Sequence, residues 1–356
     1  MRRFFVVTSS ILLALAAVFF WASSGRLSED ELAQTKQYDA PASSTAPDSL
    51  TVTTYNLGYL SGMTNNEPVV RSDSFLAANM QEALALLHRT TSDVVAFQEI
   101  DYGSGRSGYV HQLDTLAARL NFATAAQAVN WDKRYIPFPY GRPAVHFGRT
   151  LSGQAVLSQF PIRQHQRVAL SRPPQSFVRD AFYLDRLAQV VLLDLGGRSL
   201  AVINVHLEAF HAATRAKQAR RVNAIYDQIT AQGLPVLLLG DFNSPLPDST
   251  SGRLPTDPRQ AAAADSTMRL LLAETALRPT LPSRHPHFSG TYPADAPAQK
   301  IDHIFYPPAF MTPVDRKIRC GAPSPPSDHC AVTASFRLAP PAEWPTLESV
   351  PNIPSE

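Results

Sequence analysis

The sequence predicts an α/β protein in which two mixed β-sheets pack together and helices cover their outer faces. Three observations carry that expectation. From Leu50 onward, short apolar runs are bounded by turn residues. Between some of them lie longer stretches with apolar residues at helical spacing. The strands alternate with helices in places and follow one another in consecutive pairs elsewhere, a mixture that suits two mixed sheets. Composition agrees: 44% of the 356 residues are hydrophobic, enough for a large core, and 17% are charged. Two cysteines exclude a disulfide-dense scaffold, and 30 prolines with 16 glycines exclude collagen or wholesale disorder.

The chain opens Met1-Arg2-Arg3 and then runs apolar from Phe4 to Ala22. A charged start before an apolar run marks export. The run exceeds the ~7–15 residues of a normal signal core and approaches the ~20 that cross a bilayer. Two readings of residues 1–24 stand: a signal peptide cleaved after Ser24, or an uncleaved anchor. Both place the remainder outside the cytoplasm, secreted, periplasmic or membrane-anchored. Arg2 and Arg3 are the only charges in this segment and account for the whole net charge of +2. The rest is formally neutral, which disfavours a non-specific nucleic-acid binder.

Residues 25–48 are polar, with Pro, Ser and Ala gathering toward the end, and read as a linker. One domain over residues 49–338 follows, and a proline-rich, extended tail occupies 339–356. The predicted strands are Leu50–Tyr55, Val94–Phe97, Gln154–Ser158, Leu187–Leu193, Leu200–Val205, Val236–Leu239, Ile301–Tyr306, Val314–Arg319 and Cys330–Phe336. Helices are predicted over Ser74–Arg89, with Phe75, Leu76, Met80, Leu84 and Leu87 apolar, and over Thr214–Gln232, with Val222, Ile225 and Ile229 as the buried stripe. Cys320 and Cys330 are either a disulfide or two buried thiols.

The informative feature is what ends the strands. TVTTYNL delivers Asn56; DVVAFQEID delivers Gln98 and Glu99; LAVINVHL delivers Asn204 and His206. PVLLLGDFNSP delivers Asp241 and Asn243, which share a side if the backbone stays extended. KIDHIF supplies Asp302 and His303, and PPSDHCAV supplies Ser327, Asp328 and His329. Any one of these is an ordinary loop residue; six such endings in one chain are not. Glu99, Asp241, Asp328, Asn56 and Asn243 are hard oxygen donors suited to Mg²⁺ or Mn²⁺. His206 and His329 suit proton transfer or phosphate contact. With no serine or cysteine nucleophile in evidence, water is the attacking group, and the chemistry is metal-assisted hydrolysis of a phosphate ester.

The ordered set YN, QE, NVHL, GDFN, IDHIF and SDH resembles the endonuclease/exonuclease/phosphatase superfamily, over about residues 50–338. That group includes DNase-like nucleases, inositol-polyphosphate phosphatases and neutral sphingomyelinases. GDFN and SDH together are the most specific part, and SGQAVLS resembles a segment beside the family's cleft. The resemblance implies a four-layer α/β/β/α sandwich with the site between the tops of the sheets. It implies Glu99, Asn56 and Asp328 as the metal region, Asp241 acting on the attacking water, Asn243 holding phosphate and His206 touching it. It also implies that Asp302 fixes His329. His303 reads as a packed side chain, and Cys330 departs from the family's usual residue after SDH.

Substrate choice rests on weaker signals. Residues 130–158 combine Trp131, Tyr135, Phe138, Tyr140 and Phe147 with Lys133, Arg134, Arg142 and Arg149. Such a segment can stack bases, meet lipid headgroups or simply pack as a proline-stiffened loop. Asn204, Arg149 and Arg186 are the candidate substrate contacts; Arg215 and Gln218 are equally suited to a solvated helix start. His88, His111, His165, His285 and His287 read as surface or packing residues. The preferred substrate is a phospholipid headgroup or small phosphoester, with nucleic acid as the alternative. A non-catalytic anchored binding module is a third reading, and no protein partner is inferred.

Overall fold

A computed structural model describes residues 2–139, 141–247, 265–281, 290–321, 323–346 and 349–355. Tyr140, His285 and His287 lie outside the described residues. The chain begins with helix α1 (Arg2–Ser23) and strand β1 (Ala33–Gln37), then β2 (Ser49–Asn56), α2 (Asp73–His88) and β3 (Val94–Asp101). Helix α3 (Gln112–Leu120), β4 (Thr124–Ile136), β5 (Gly148–Ser158), β6 (Ile162–Leu170) and the short α4 (Phe177–Phe182) follow. Next come β7 (Arg186–Asp194), β8 (Ser199–His206), α5 (Ala212–Thr230), β9 (Val236–Asp241), α6 (Thr267–Ala273) and β10 (Arg278–Pro279). The last strands are β11 (Asp302–Tyr306), β12 (Met311–Arg319) and β13 (Ala331–Leu338).

These strands build a seven-stranded sheet in the order β1-β4-β5-β3-β2-β13-β12 and a six-stranded sheet in the order β10-β11-β9-β8-β7-β6. Period-two alternation explains why they face each other. Val191, Leu193, Leu200, Val202, Leu237 and Leu239 point inward against Leu50, Val52, Val94, Ala96 and Val156. Their neighbours Val190, Leu192, Ile203, Val205 and Leu238 point outward, onto Val222, Ile225 and Ile229 of α5 and Met268 and Leu271 of α6. On the other side, Leu84 and Leu87 of α2 and Leu113 and Leu116 of α3 cover Val95, Phe97 and Leu157. The result is the expected four layers.

Each sheet has one parallel pair, β2–β3 and β8–β9, connected through α2 and α5 respectively. Parallel strands joined by a crossover helix end at the same edge. Both pairs therefore deliver their polar C-terminal residues to one end of the sandwich.

Strand β6 and the first part of β4 are not among the expected strands, and two further segments differ from the expectation. The 25–48 linker contains β1, an edge strand paired antiparallel with β4 from Ala33↔Ala128 to Gln37↔Thr124. Its polar AQTKQ sequence is what an edge strand with one solvent face looks like. The aromatic-basic stretch after Asn130 is strand at both ends, because β4 continues to Ile136 and pairs with β5 as far as Ile136↔Gly148, and residues 137–147 connect the two. The tail is largely extended and lies along β6: the Val350 and Ile353 amides donate to Gln164 and Gln166 at 2.7 and 2.8 Å, and both side chains are buried. Cys320 and Cys330 form a disulfide.

Candidate active site

Strand register assembles the site. His206 at the end of β8 is the partner of Asp241 at the end of β9, and Asp241 is in turn the partner of Asp302 at the start of β11. In the other sheet Asn56 is the partner of Gln98. The pairing between β3 and β5 then slips between Phe97 and Ile100, and Glu99 sits in that bulge with φ 49°. A non-glycine residue held left-handed costs of order 1–3 kcal/mol and marks a place where the fold re-aims a side chain. Gln98 faces the other sheet, donating to Asn204 at 2.6 Å, while Glu99 turns to the Asn65 amide, which donates to it at 3.0 Å.

His329 joins the two sheets. Asp302 Oδ2 lies 3.0 Å from its Nδ1, and Nε2 lies 3.9 Å from Asp241 Oδ2. Asn56 Nδ2 donates to the same Asp241 oxygen at 3.0 Å, and the Asn243 backbone amide donates to Asp241 Oδ1 at 2.9 Å. Ser327 fixes the loop, donating to the Asn56 carbonyl at 2.7 Å and accepting from the His329 amide at 3.1 Å. The disulfide starts one residue later, at Cys330, and the Cys330 amide donates to Thr291 O at 2.8 Å. Gly240 is required here: a Cβ would stand 2.0 Å from the Val205 carbonyl oxygen. A Cβ on Gly58 would lie 2.5 Å from Asp328 Oδ1, so the loop after β2 also needs glycine to approach the acids.

The acids themselves divide in two. Glu99 and Asp328 share the Asn65 amide, which donates to them at 3.0 and 3.2 Å. Burial, then the Asp328 charge, raises the Glu99 pKa. Burial and the Asp302 charge push Asp241 up to about 7. Burial opposes charge on His329 as well, but Asp302 and Asp241 overcome it and hold the imidazole at about 10, so it is protonated at neutral pH. His206 behaves oppositely: burial, the Arg186 guanidinium and His329 keep its pKa well below the usual range. Arg186 Nη1 donates to His206 Nε2 at 2.5 Å, which leaves that nitrogen as an acceptor.

A divalent cation fits this donor set. Glu99 and Asp328 bring two carboxylates together with an amide between them, and burial, then the Asp328 charge, disfavours the ionised form of Glu99 unless a cation balances it. Oxygen-only donors of this kind suit Mg²⁺ or Mn²⁺. Asp241, Asp302 and His329 also place ligand atoms within 4.8 Å of one another. An imidazole kept charged by two carboxylates is a poor ligand, however. The Glu99–Asp328 pair is therefore the better cation site. Asn56, expected beside the metal, has Nδ2 on Asp241 and accepts the Gly58 amide at 3.0 Å, so its contacts fall on the Asp241 side.

Other expected residues have different surroundings. Asn204, expected as a substrate contact, is fully buried and clamps the sheets together through Gln98, Gln189 and the Phe97 carbonyl. Arg149 does not join the cluster, because its guanidinium bonds Asp132 at 2.6 Å and the carbonyls of Lys133 and Thr150. Asn243 does not continue an extended strand. With φ 49° it turns the chain, and its Nδ2 donates to Leu207 O at 3.0 Å. His303 is packed between Phe242 and Phe305, as its apolar neighbours suggest.

Four residues escaped the sequence reading. Asn65 lies in the polar loop between β2 and α2, well beyond the residues that end the strand. Tyr292 sets its ring 4.9 Å from that of His329. Tyr183 donates to Glu208 at 3.0 Å, and Glu208, fully buried, lies 3.7 Å from Arg186 Nε. Only Glu208, two residues after His206 in NVHLEAF, carried a local signal.

The Endonuclease/Exonuclease/phosphatase family model matches residues 53–329, a span that holds every residue of the cluster. The chain belongs to this family. No curated protein matches it. Among solved structures, the Endonuclease/Exonuclease/phosphatase protein of Beutenbergia cavernae is 21% identical at TM-score 0.54, over 82% of this chain and 72% of that one. The human Nocturnin catalytic domain with bound sulfate is 16% identical at TM-score 0.54, covering 87% and 98%. Truncated Caenorhabditis elegans TDP2 is 16% identical at TM-score 0.51, covering 81% and 97%. At these identities the likeness speaks for the fold; family membership makes the chain an Endonuclease/Exonuclease/phosphatase hydrolase of the phosphoesterase or nuclease kind.

Proposed function

We propose that this protein is an extracytoplasmic, Mg²⁺- or Mn²⁺-dependent hydrolase of phosphate esters, with a phospholipid headgroup or small phosphodiester as substrate. The observation that carries the hydrolytic reading is the coupled set Asn56–Asp241–His329–Asp302 beside the Glu99–Asp328 pair. It pairs a base with a cationic donor and offers no covalent nucleophile.

A bound Mg²⁺ at Glu99 and Asp328 would supply charge neutralisation at a phosphoryl oxygen. Asp241, with its pKa at about 7, is poised near working pH to accept a proton from an attacking water. Asn56 and the Asn243 amide hold that carboxylate in place. His329, kept charged by Asp302, presents Nε2 as a hydrogen-bond donor to the phosphoryl oxygens, where charge builds in the transition state. Arg186 adds a second cation, anchored between His206 and Glu208.

The lipid preference draws on the neutral charge of residues 25–356 and on the apolar helix α1, whose residues Arg3–Ser23 are long and apolar enough to cross a membrane. It is tested by a hydrolysis panel of plasmid DNA, RNA, sphingomyelin, phosphatidylinositol lipids and bis-p-nitrophenyl phosphate, each with Mg²⁺ and with EDTA. Lipid or small-ester turnover that EDTA abolishes is the expected result. DNA cleavage far above every lipid would make nuclease the function; no turnover on any substrate would leave a binding module.

A further inference from the structure

Helix α1 is not tied to the catalytic domain by a loose stalk. Phe19 and Ala22 pack with Ile136, Phe147 and Phe182. The Phe19 ring lies 5.5 Å from the rings of both Phe177 and Phe182 in α4. Directly after the helix, the Arg26 and Leu27 amides donate to Asp132 at 2.5 and 2.8 Å, and the Arg134 amide donates to the Ser24 carbonyl at 2.9 Å. The earlier part of α1, from Phe4 to Val18, is exposed.

Length then constrains where a bilayer lies. Crossing ~30 Å of hydrocarbon takes about 20 residues at ~1.5 Å each. Counted from Phe4, that reaches the last turn of α1, where Phe19 and Ala22 already touch the domain. A membrane spanned by α1 must therefore meet the domain surface around them. That surface is apolar: Phe177 is 68% exposed and Val178 55%, beside Phe20 and Trp21 of the helix at 61% and 53%. Six helical residues, roughly 9 Å, separate this tip from Tyr183, whose hydroxyl holds Glu208 beside Arg186.

We propose that α4 seats the domain on the bilayer: with the last turn of an uncleaved α1 it lays Phe177 and Val178 into the membrane interface and holds the active-site mouth against lipid phosphodiesters. This rests on the membrane-tethered form of the proposed function. Aromatic and aliphatic side chains level with the headgroups gain apolar burial there, and a tryptophan at that depth is the usual companion.

The test uses the full chain in vesicles of equal parts phosphatidylcholine and phosphatidylglycerol. The native cysteines are paired, so Val178→Cys, Leu13→Cys and Val314→Cys can each be labelled with an environment-sensitive fluorophore and quenched by doxyl lipids. Quenching at positions 178 and 13, with none at 314, is the expected result. Quenching at 13 alone overturns the seating and leaves the tether intact; quenching at none overturns the tether and the seating with it. The double variant Phe177→Asp/Val178→Asp should lose at least about tenfold in hydrolysis of vesicle phospholipid and keep its turnover of soluble bis-p-nitrophenyl phosphate. An equal change on both substrates contradicts the proposal.

Discussion

Among the described residues, two of the buried clusters of charge are built on opposite plans. At one, Arg106 donates to both oxygens of Asp101 at 2.9 and 3.1 Å, Ser104 donates a third bond at 2.7 Å, and the guanidinium lies 3.3 Å over the Tyr59 ring. Opposite charges cancel, and the Asp101 oxygens are occupied. At the other, Glu99, Asp241, Asp302 and Asp328 face one protonated imidazole and one guanidinium; burial, then the charges of Asp328 and Asp302, raises the pKa of Glu99 and Asp241 respectively. Burial alone does not distinguish structure from function. The distinction is whether the charge balances within the protein or waits for a ligand to balance it.

The sharpest way to separate the clusters is to neutralise one acid in each. Asp241→Asn should cost about 10²–10⁴-fold in kcat/KM on bis-p-nitrophenyl phosphate without lowering stability in EDTA. The folded pKa of Asp241, about 7, lies above its ordinary 3.8. The folded state thus binds this proton more readily than the unfolded one. Its contribution to stability is full below about 4 and lost as pH rises through about 7. The wild-type melting temperature in EDTA should accordingly carry a downward step between those values, and Asp241→Asn should lack it. A variant that melts lower yet retains turnover would reverse the assignment.

Arg106→Ala should do the converse. Leaving Asp101 buried without its partner is expected to cost about 3–5 kcal/mol by urea denaturation, with turnover per folded molecule nearly unchanged. Loss of activity without loss of stability would move Arg106 into the active site.

A smaller effect is expected at the disulfide that braces the loop carrying Asp328 and His329. Its ring spans a sequence separation of 10, and removing a crosslink of that size costs about 2–3 kcal/mol on the chain-entropy estimate. Cys320→Ser/Cys330→Ser should therefore melt lower and lose activity in proportion to the loosening of Asp328 and His329. An unchanged melting curve would show that the Thr291 contacts suffice.

The same contrast explains what could be read from the sequence. Buried apolar strands such as VLLLG and LAVINV announce themselves, and the polar residues ending them form a recognisable series. The parallel pair β8–β9 then brings His206 and Asp241 together, and antiparallel β11 and β13 add Asp302 and His329 at or just before their starts, so the series read along the sequence converges in space. What escaped depends on long-range context. Strand β4 carries Asp132, Lys133 and Arg134 because its far end pairs with β5 near the surface, so its apolar alternation fades. Strand β1 is short and polar because it is an edge. Asn204 has the residue type of a substrate contact, and only the register between the sheets shows it bonded to Gln98 and Gln189. Asn65 and Tyr292 reach the acids and His329 from loops whose local sequence carries no periodicity.

The central claim is that the surplus-charge cluster performs hydrolysis through a protonated His329 held by Asp302. It is tested most directly by assaying His329→Ala beside the wild type on bis-p-nitrophenyl phosphate in Mg²⁺, with thermal melts of the same samples. The expected result is a cooperative melt and a loss of about 10²–10⁴-fold in kcat. A folded His329→Ala protein that turns over within a few-fold of the wild type would contradict it.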